Sequence, residues 1–162
     1  MSAIEFRQLR PEDNDASRAL ILDILNREYA MALSLQELPD LIDIHRTYVD
    51  SGDGSFWVAC VDGRIAACIG ILQLTGADYE LRRMYVDPAQ RGNGIAQRLL
   101  DVALAWSITR GVGCIYLETH SEWKTAHHIY EKNGFEPVDR ECLPSAFPVV
   151  RIATAFYRRC LR

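Results

Sequence analysis

A glycine-rich turn, RGNGIA at Arg91–Ala96, is the segment of this sequence whose residue types most directly suggest chemistry. It stands between a β-rich run and an apolar, helix-periodic run. The first N–H groups of a helix have no partners within the helix, and the helix dipole adds partial positive charge there. Gly92 and Gly94 let the backbone approach a ligand closely, and Arg91 adds a planar cationic fork. We therefore interpret the turn as a cradle for a pyrophosphate group.

Other interpretations of the same residues are weaker. A bare Gly-x-Gly also occurs in plain strand-to-helix turns, where glycine only relieves backbone strain. A P-loop requires G-x-x-x-x-G-K-[ST], which the sequence lacks. The dinucleotide-binding fingerprint requires a third glycine, but Gln97 stands at that position. The adjacent His127 and His128 would point about 100° apart on a helix, so we expect no metal site there.

The composition is that of an ordinary globular domain. The chain has 162 residues, a net charge of −4, 49% hydrophobic residues and 25% charged residues, which predicts a single domain over residues 1–162. The acidic balance argues against a nucleic-acid-binding protein, because such proteins usually carry a basic face. No apolar run is long enough to cross a bilayer and the first residues lack an apolar signal core, so we expect a cytoplasmic protein.

Five cysteines are spread along the chain, and none of them forms a CxxC pair. Their number is odd, and several lie in apolar, strand-like runs. We interpret all of them as buried free thiols in a reducing compartment: Cys60, Cys68, Cys114, Cys142 and Cys160.

Hydrophobic periodicity sets the glycine turn in an alternation of strands and helices. The pattern predicts an α/β fold of the mixed α+β type, with helices packed on a mixed sheet. Asp62-Gly63 indicates a hairpin with a type I′ turn, Pro39 breaks a helical stretch, and Gly134 follows a helix end. The predicted strands are residues 4–9, 55–61, 64–74, 78–86, 114–120, 135–142 and 149–161, and the predicted helices are 13–33, 35–52, 95–110 and 121–135, the last capped by Ser121.

Two motifs together resemble the GNAT superfamily of N-acetyltransferases. Arg91–Ala96 matches its Q/R-x-x-G-x-G/A signature, and AHHIYEKNGF at Ala126–Phe135 resembles its second signature, where a tyrosine precedes a lysine and Gly-Phe. The resemblance covers nearly the whole chain and is strongest from Glu80 to Phe135. It implies a GNAT fold, a mixed and mostly antiparallel sheet of roughly six to seven strands with about four helices, in which the fourth and fifth strands splay apart to form a cleft.

The resemblance also implies where acetyl-CoA binds. The pantetheine arm is expected to pair with backbone groups of the fourth strand, as an added strand would. The pyrophosphate is expected on the backbone amides of the glycine turn. The implied donor-binding residues are Met84, Tyr85, Val86, Arg91, Gly92, Asn93, Gly94, Ile95 and Ala96. Trp123 stands where family members often have an asparagine that touches the pantetheine, so the chain departs from the family pattern at that contact.

Tyr130 aligns with the tyrosine that family members commonly use as a general acid. Attack on a thioester expels a thiolate, which a nearby phenol can protonate. The alternative is a core tyrosine, because Ala126, Ile129 and Tyr130 lie at helical spacing. The resemblance favours the catalytic role.

Glu80 is the first choice for the general base, since an amine must lose a proton before it attacks. Period-2 alternation would place Glu80, Arg82 and Met84 on one face of the fourth strand. An ordinary ion pair with a neighbouring arginine is the alternative role of Glu80. Glu118, His120 or a water chain are the alternative bases.

We therefore expect an acetyl-CoA-dependent N-acetyltransferase acting on a primary amine of a small molecule. A protein or peptide N-acetyltransferase and a non-catalytic CoA-binding module remain open. The resemblance assigns acceptor specificity to the first two helices and the loop between the last two strands, with Glu28, Tyr29, Tyr48 and Phe147 as candidate lining residues. The composition and residue spacing favour no nucleic-acid, membrane or metal partner, and by analogy with the family the last strand could support a homodimer.

Overall fold

Seven strands form a mixed, mostly antiparallel sheet, as predicted. The computed structural model describes residues 2–149 and 153–162. The strands are hydrogen-bonded in the order β1-β2-β3-β4-β5-β7-β6, and β4 and β5 run parallel. The strands are β1 Ile4–Gln8, β2 Gly54–Val61, β3 Arg64–Thr75, β4 Asp78–Val86, β5 Cys114–Thr119, β6 Glu136–Val138 and β7 Ala155–Cys160, and the α-helices are α1 Asn14–Asp23, α2 Ile95–Arg110 and α3 Lys124–Lys132.

The chain divides into two compact units. The N-terminal unit comprises the residues up to Ile71 together with Arg83–Leu104, and the C-terminal unit comprises Leu72–Arg82 and Ala105–Arg162. β3, β4 and α2 each contribute residues to both units. That the whole chain acts as one catalytic domain stays a prediction.

The N-terminal unit is built on a buried hairpin. Every residue of β2 is buried, and β1 pairs with it in antiparallel register from Ile4 opposite Val61 to Gln8 opposite Trp57. The turn between β2 and β3 has φ of 49° at Asp62 and 80° at Gly63. Both central residues of a type I′ turn need positive φ, so the predicted hairpin is confirmed.

The first predicted helix is shorter than the sequence pattern indicates. α1 continues as a wide π-type turn over Ile24–Glu28 and stops there, not at residue 33. The Asn26 side chain donates to Leu33 O at 3.0 Å and accepts from Leu33 N at 2.8 Å. This side chain thus offers the backbone hydrogen bonds that compete with the helical ladder. Within the loop it closes, Ala30 and Ala32 have positive φ of 50° and 51°.

The second helical stretch is broken at Pro39, as predicted. Short 3₁₀ turns cover Leu35–Glu37 and Pro39–Leu41, and a π-type turn covers His45–Asp50. Pro39 begins its turn because a proline lacks the N–H that a continuing helix would need. Tyr48, on the π-type turn, is fully buried and packs edge-on against Phe56 with ring centroids 5.0 Å apart.

The C-terminal unit contains β5, β6, β7 and α3. β7 pairs antiparallel with β5 and with β6. α3 begins at Lys124, so the predicted cap at Ser121 is wrong: the amide of Ser121 donates to Thr154 Oγ1 at 2.7 Å and belongs to the preceding loop. Gly134, with φ of 83°, ends this helix as predicted.

The last two predicted strands are shorter than expected. β6 ends at Val138, because Arg140–Cys142 form a 3₁₀ turn. β7 begins at Ala155, and residues 150–152 of the predicted strand lie outside the described part of the chain.

The prediction that all cysteines are buried free thiols is wrong for three of them. Cys114 and Cys160 form a disulfide, and Cys142 is exposed, whereas Cys60 and Cys68 are buried free thiols. Cys114 stands directly opposite Cys160 in the β5–β7 ladder. Residues opposite each other in an antiparallel pair bring their side chains together, and cysteine spacing alone does not reveal that pairing.

Within residues 2–149 and 153–162, the helices are all too short or too polar to cross a bilayer. The same residues contain no cluster of three or more histidine, cysteine, aspartate or glutamate side chains arranged to hold a metal ion.

Candidate active site

The glycine turn joins β4 to α2 in the N-terminal unit. Gly92 and Gly94 have φ of 83° and 74°, a left-handed conformation that glycine adopts without strain. Apart from its two chain neighbours, no described residue would come within 4 Å of a Cβ at either position, so the space in front of both glycines is open. The amide of Arg98 closes the first helical turn, donating to Gly94 O at 3.1 Å. The helix therefore leaves the preceding amides to other acceptors, as an anion cradle requires.

Arg91 is engaged within the protein. Its Nη1 and Nη2 donate to the two carboxylate oxygens of Glu28 at 2.6 and 2.7 Å, and its Nε donates to Val86 O at 3.0 Å. The hydrogen bonds that the guanidinium donates to Glu28 raise the pKa of Arg91 above its usual value. The backbone amide of Arg91 donates to Pro88 O at 3.4 Å. Arg91 therefore ties the turn to Val86 and Glu28, and the open backbone begins at Gly92.

β4 has a local backbone irregularity at Arg83, whose φ is 56°. Period-2 alternation holds only while each residue keeps an extended conformation, so it does not carry across this position. Alternation therefore supports a common face for Glu80 and Arg82, but it no longer supports the prediction that Met84 shares that face. Met84, Tyr85 and Val86 follow the irregularity and are all partly exposed.

A buried ion pair holds this irregularity in place. Arg83 donates to Asp40 from Nε at 2.9 Å and from Nη2 at 2.8 Å, and the side chains are 13% and 6% exposed. Tyr48 donates its hydroxyl to the same carboxylate at 2.6 Å. The thiol of Cys68 donates to Arg83 O at 3.2 Å. Burial raises the pKa of Tyr85, and the adjacent Arg83 acts in the opposite direction.

Tyr130 lies on α3 in the C-terminal unit and is 6% exposed. Its ring centroid is 5.9 Å from that of Phe135 and 5.8 Å from that of Tyr157. Tyr157 donates its hydroxyl to Glu131 at 3.0 Å, and burial together with Glu131 raises the pKa of Tyr157 to about 12. These aromatic contacts fix the orientation of the Tyr130 ring. A fixed ring is compatible with a structural role in the core and with a catalytic role. Its part in catalysis stays a prediction.

Glu80 lies where the pairing of β4 and β5 ends. The register runs from Asp78 opposite Cys114 to Glu80 opposite Tyr116, although β5 continues to Thr119. Glu80 is 3% exposed, and its carboxylate is 3.6 Å from Arg82 Nε. The ion pair considered from the sequence therefore exists, with Arg82 as the partner. A carboxylate can hold this pair and still accept a proton, so the role of Glu80 as base stays a prediction.

The alternative bases lie on β5 and just after it. Glu118 is partly exposed and shares a strand face with Tyr116 by period-2 alternation. His120 accepts from the amide of Glu122 at Nδ1, 3.2 Å away, and its ring lies 5.6 Å from that of Trp123. His127 Nε2 lies 2.8 Å from His120 O. Trp123, which replaces the usual asparagine, therefore packs on a candidate base.

The predicted residues thus fall into two groups. The N-terminal unit holds the glycine turn and Met84–Val86, and the C-terminal unit holds Glu80, the alternative bases and Tyr130. Sequence reasoning missed the Asp40–Arg83 ion pair. No local pattern could have found it, because the two residues are 43 positions apart.

Comparison with known proteins agrees with this geometry. Residues 18–135 match the model of the acetyltransferase (GNAT) family. An uncharacterized N-acetyltransferase of Escherichia coli (strain K12), YjgM, is 32% identical over 139 residues, which cover 82% of this chain and 82% of that protein. A crystal structure of a GNAT-family acetyltransferase from Staphylococcus aureus Mu50 superposes with a TM-score of 0.93 at 30% identity, covering 99% of this chain and 100% of the other.

Vertebrate relatives are longer than this chain. The N-acetylaspartate synthetase of Xenopus tropicalis is 35% identical over 103 residues, which cover 61% of this chain and 37% of that protein. The chain spans 56% of the length of another Xenopus tropicalis relative, a probable N-acetyltransferase. The family match covers most of the chain, including both motifs and the strand and helices that carry them. The chain therefore belongs to the acetyltransferase (GNAT) family.

Proposed function

We propose that this protein transfers an acetyl group from acetyl-CoA to a primary amine of a small molecule. The observation that carries the proposal is the glycine turn, in which Gly92 and Gly94 take left-handed conformations over open space at the start of α2. The family uses acetyl-CoA, whose pyrophosphate suits a cradle of backbone amides. The pantetheine arm would pair with Met84–Val86, as a strand added to the sheet does.

In the proposed reaction, the amine nitrogen attacks the thioester carbonyl carbon directly. A C–N bond forms, the C–S bond breaks, and coenzyme A leaves as a thiolate. Tyr130 gives its phenolic proton to that sulfur or to a water that relays it. Glu80 takes the proton that the amine must lose, and Glu118, His120 or a water chain are the alternatives.

Thermal unfolding with and without acetyl-CoA, CoA and NAD tests donor binding. A ligand at a hundred times its Kd adds about 2.7 kcal/mol to the free energy of unfolding. A rise of several degrees with acetyl-CoA and CoA, but not with NAD, is expected. A rise with NAD alone would restore the dinucleotide interpretation, and no rise with any of them would contradict the cradle.

Replacing Tyr130 by Phe separates an enzyme from a binding module. The ring and its packing against Phe135 and Tyr157 remain, whereas the proton is lost. We expect unchanged CoA affinity and at least about a tenfold loss of turnover, measured as thiol release with an amine that the wild-type protein acetylates. Unchanged turnover would remove Tyr130 from the mechanism.

The proposal also covers the class of acceptor, the cellular location and the oligomeric state of the protein. The name N-acetylaspartate synthetase, borne by one relative, denotes an acetylated amino acid, which favours a small acceptor over a protein for this chain too. A protein or peptide acceptor and a non-catalytic CoA-binding module are the competing candidates. A cytoplasmic location and a homodimer stay predictions, and the Cys114–Cys160 disulfide weighs against a strongly reducing compartment.

A further inference from the structure

One face of the sheet in the C-terminal unit gathers aromatic and charged side chains from three strands. Glu80 stands opposite Tyr116 in the parallel register, Tyr116 stands opposite Arg158, and Glu118 stands opposite Phe156 in the antiparallel register. Paired residues share a face, and so do residues two apart along a strand. Two carboxylates and two aromatic rings therefore lie on one face.

The floor of this face is apolar. Tyr116, Phe147 and Phe156 form one buried cluster, against which Val138 and Leu143 pack. The rings of Phe147 and Phe156 meet edge-on with centroids 6.3 Å apart.

Arg140 stands at the edge of this floor. Its guanidinium carbon lies 5.6 Å from the centroid of the Phe156 ring, within the range of a cation–π contact. The 3₁₀ turn that carries Arg140 is closed by the amide of Leu143, which donates to Arg140 O at 3.1 Å. Arg140 is exposed. In the described part of the chain, no carboxylate lies within ion-pair distance of Arg140, whereas Arg82 has Glu80 and Arg91 has Glu28.

Glu80 and the guanidinium of Arg140 mark two ends of this face. Glu80 and Phe156 are two strand spacings and two residues apart, so their Cα atoms are separated by about 12 Å. The guanidinium of Arg140, on the Phe156 ring, stands at the far end of this span from Glu80, and the span is as long as an amino acid. Carboxylates attract an ammonium group, and a guanidinium binds a carboxylate through two parallel hydrogen bonds.

We propose that Arg140 determines acceptor specificity by binding the carboxylate of the acceptor, and that the acceptors are amino acids or other primary amines that carry a carboxylate. The inference rests on the proposed function and names its substrate class. The ring of Phe156 holds the guanidinium at the edge of the apolar floor through the cation–π contact.

Kinetics with matched acceptor pairs test the proposal. A panel of L-amino acids and their carboxamides is compared in the wild-type protein, in Arg140→Gln and in Arg140→Lys. The wild-type protein should favour the acids. Arg140→Gln should raise the KM for the acids about 10- to 100-fold and leave the KM for the carboxamides and for acetyl-CoA unchanged. Arg140→Lys, which keeps the charge, should raise the KM for the acids by less than Arg140→Gln does.

Arg64→Gln is the matched control. Arg64 is also exposed and also has no ion pair in the described residues, but it begins β3 in the hairpin of the N-terminal unit. Arg64→Gln should change neither the KM for the acids nor the KM for the carboxamides. The thermal midpoints of all variants should equal that of the wild-type protein, since both arginines are exposed.

Two results would overturn the inference. In the first, the wild-type enzyme acetylates acids and carboxamides equally well, or Arg140→Gln raises both KM values together. In the second, acetyl-CoA binds but the only amines acetylated belong to proteins. If acetyl-CoA binds and no amine of any kind is acetylated, the proposed function itself fails and takes this inference with it.

Discussion

Replacing Asp40 by Asn should destabilise the protein strongly. The side chains of Asp40 and Arg83 are 6% and 13% exposed and share two hydrogen bonds, and Tyr48 adds a third to the carboxylate. Removing one partner of a buried pair leaves an uncompensated charge and in general costs about 3–5 kcal/mol. Asparagine keeps the shape of the side chain, so we expect about 3 kcal/mol. At 2–4 °C per kcal/mol for a chain of this size, the thermal midpoint should fall by about 6–12 °C.

Urea unfolding of single and double variants measures this energy. Arg83→Met also breaks the pair, but the double variant leaves no charge behind and should cost clearly less than the sum of the single variants. Asp15→Asn is the control, because the Asp15–Arg18 pair has a carboxylate that is 94% exposed. Exposed pairs contribute at most about 1 kcal/mol. A loss below about 1 kcal/mol for Asp40→Asn would refute the view that this pair is a buried, coupled charge.

Three further predictions test other parts of the structure. Gly94→Val should abolish acetyl-CoA binding in a titration, whereas Gly76→Val, also at a positive φ over open space, should leave binding intact; equal binding by both variants would refute the cradle. The pKa of Asp13 is lowered from its ordinary value of 3.8, first by the hydrogen bond that it accepts from Arg7. The stability that Asp13 adds is therefore fully present above pH 3.8, and it is lost as the pH falls through the lower pKa of the folded state. In urea unfolding, Asp13→Asn should therefore cost stability near neutral pH and little in acid. Without reductant, a thiol reagent should label Cys142 quickly in the native protein and reach three thiols after unfolding, and five after unfolding would contradict the disulfide.

The elements that the sequence predicted well depend on local rules. The Asp62-Gly63 hairpin, the break at Pro39 and the helix end at Gly134 each follow from the φ values that one or two residues can adopt. β4 was predicted over its full length, residues 78–86, because its β-rich run is bounded by turn residues.

The features that the sequence did not predict depend on contacts between distant residues. The irregularity at Arg83 needs Asp40, 43 residues away, and the first helix ends early because Asn26 binds the backbone of Leu33. Alternation and helical periodicity describe single elements. They therefore cannot reveal a contact with a side chain from a distant part of the chain. The prediction for Cys114 and Cys160 failed for the same reason, since strand pairing decides which cysteines meet.

Arg91 shows how this limit affects the candidate site. Its residue type indicated a cationic ligand for phosphate, yet its guanidinium binds Glu28 and Val86 O. The side chains of Arg91 and Glu28 are 41% and 31% exposed, so their ion pair contributes at most about 1 kcal/mol and a bound anion could compete with it. The left-handed conformations of Gly92 and Gly94, by contrast, belong to the backbone itself. In the proposed role of the turn, binding of a pyrophosphate would therefore depend first on the amides from Gly92 onward, and Arg91 would contribute mainly by holding those amides in place.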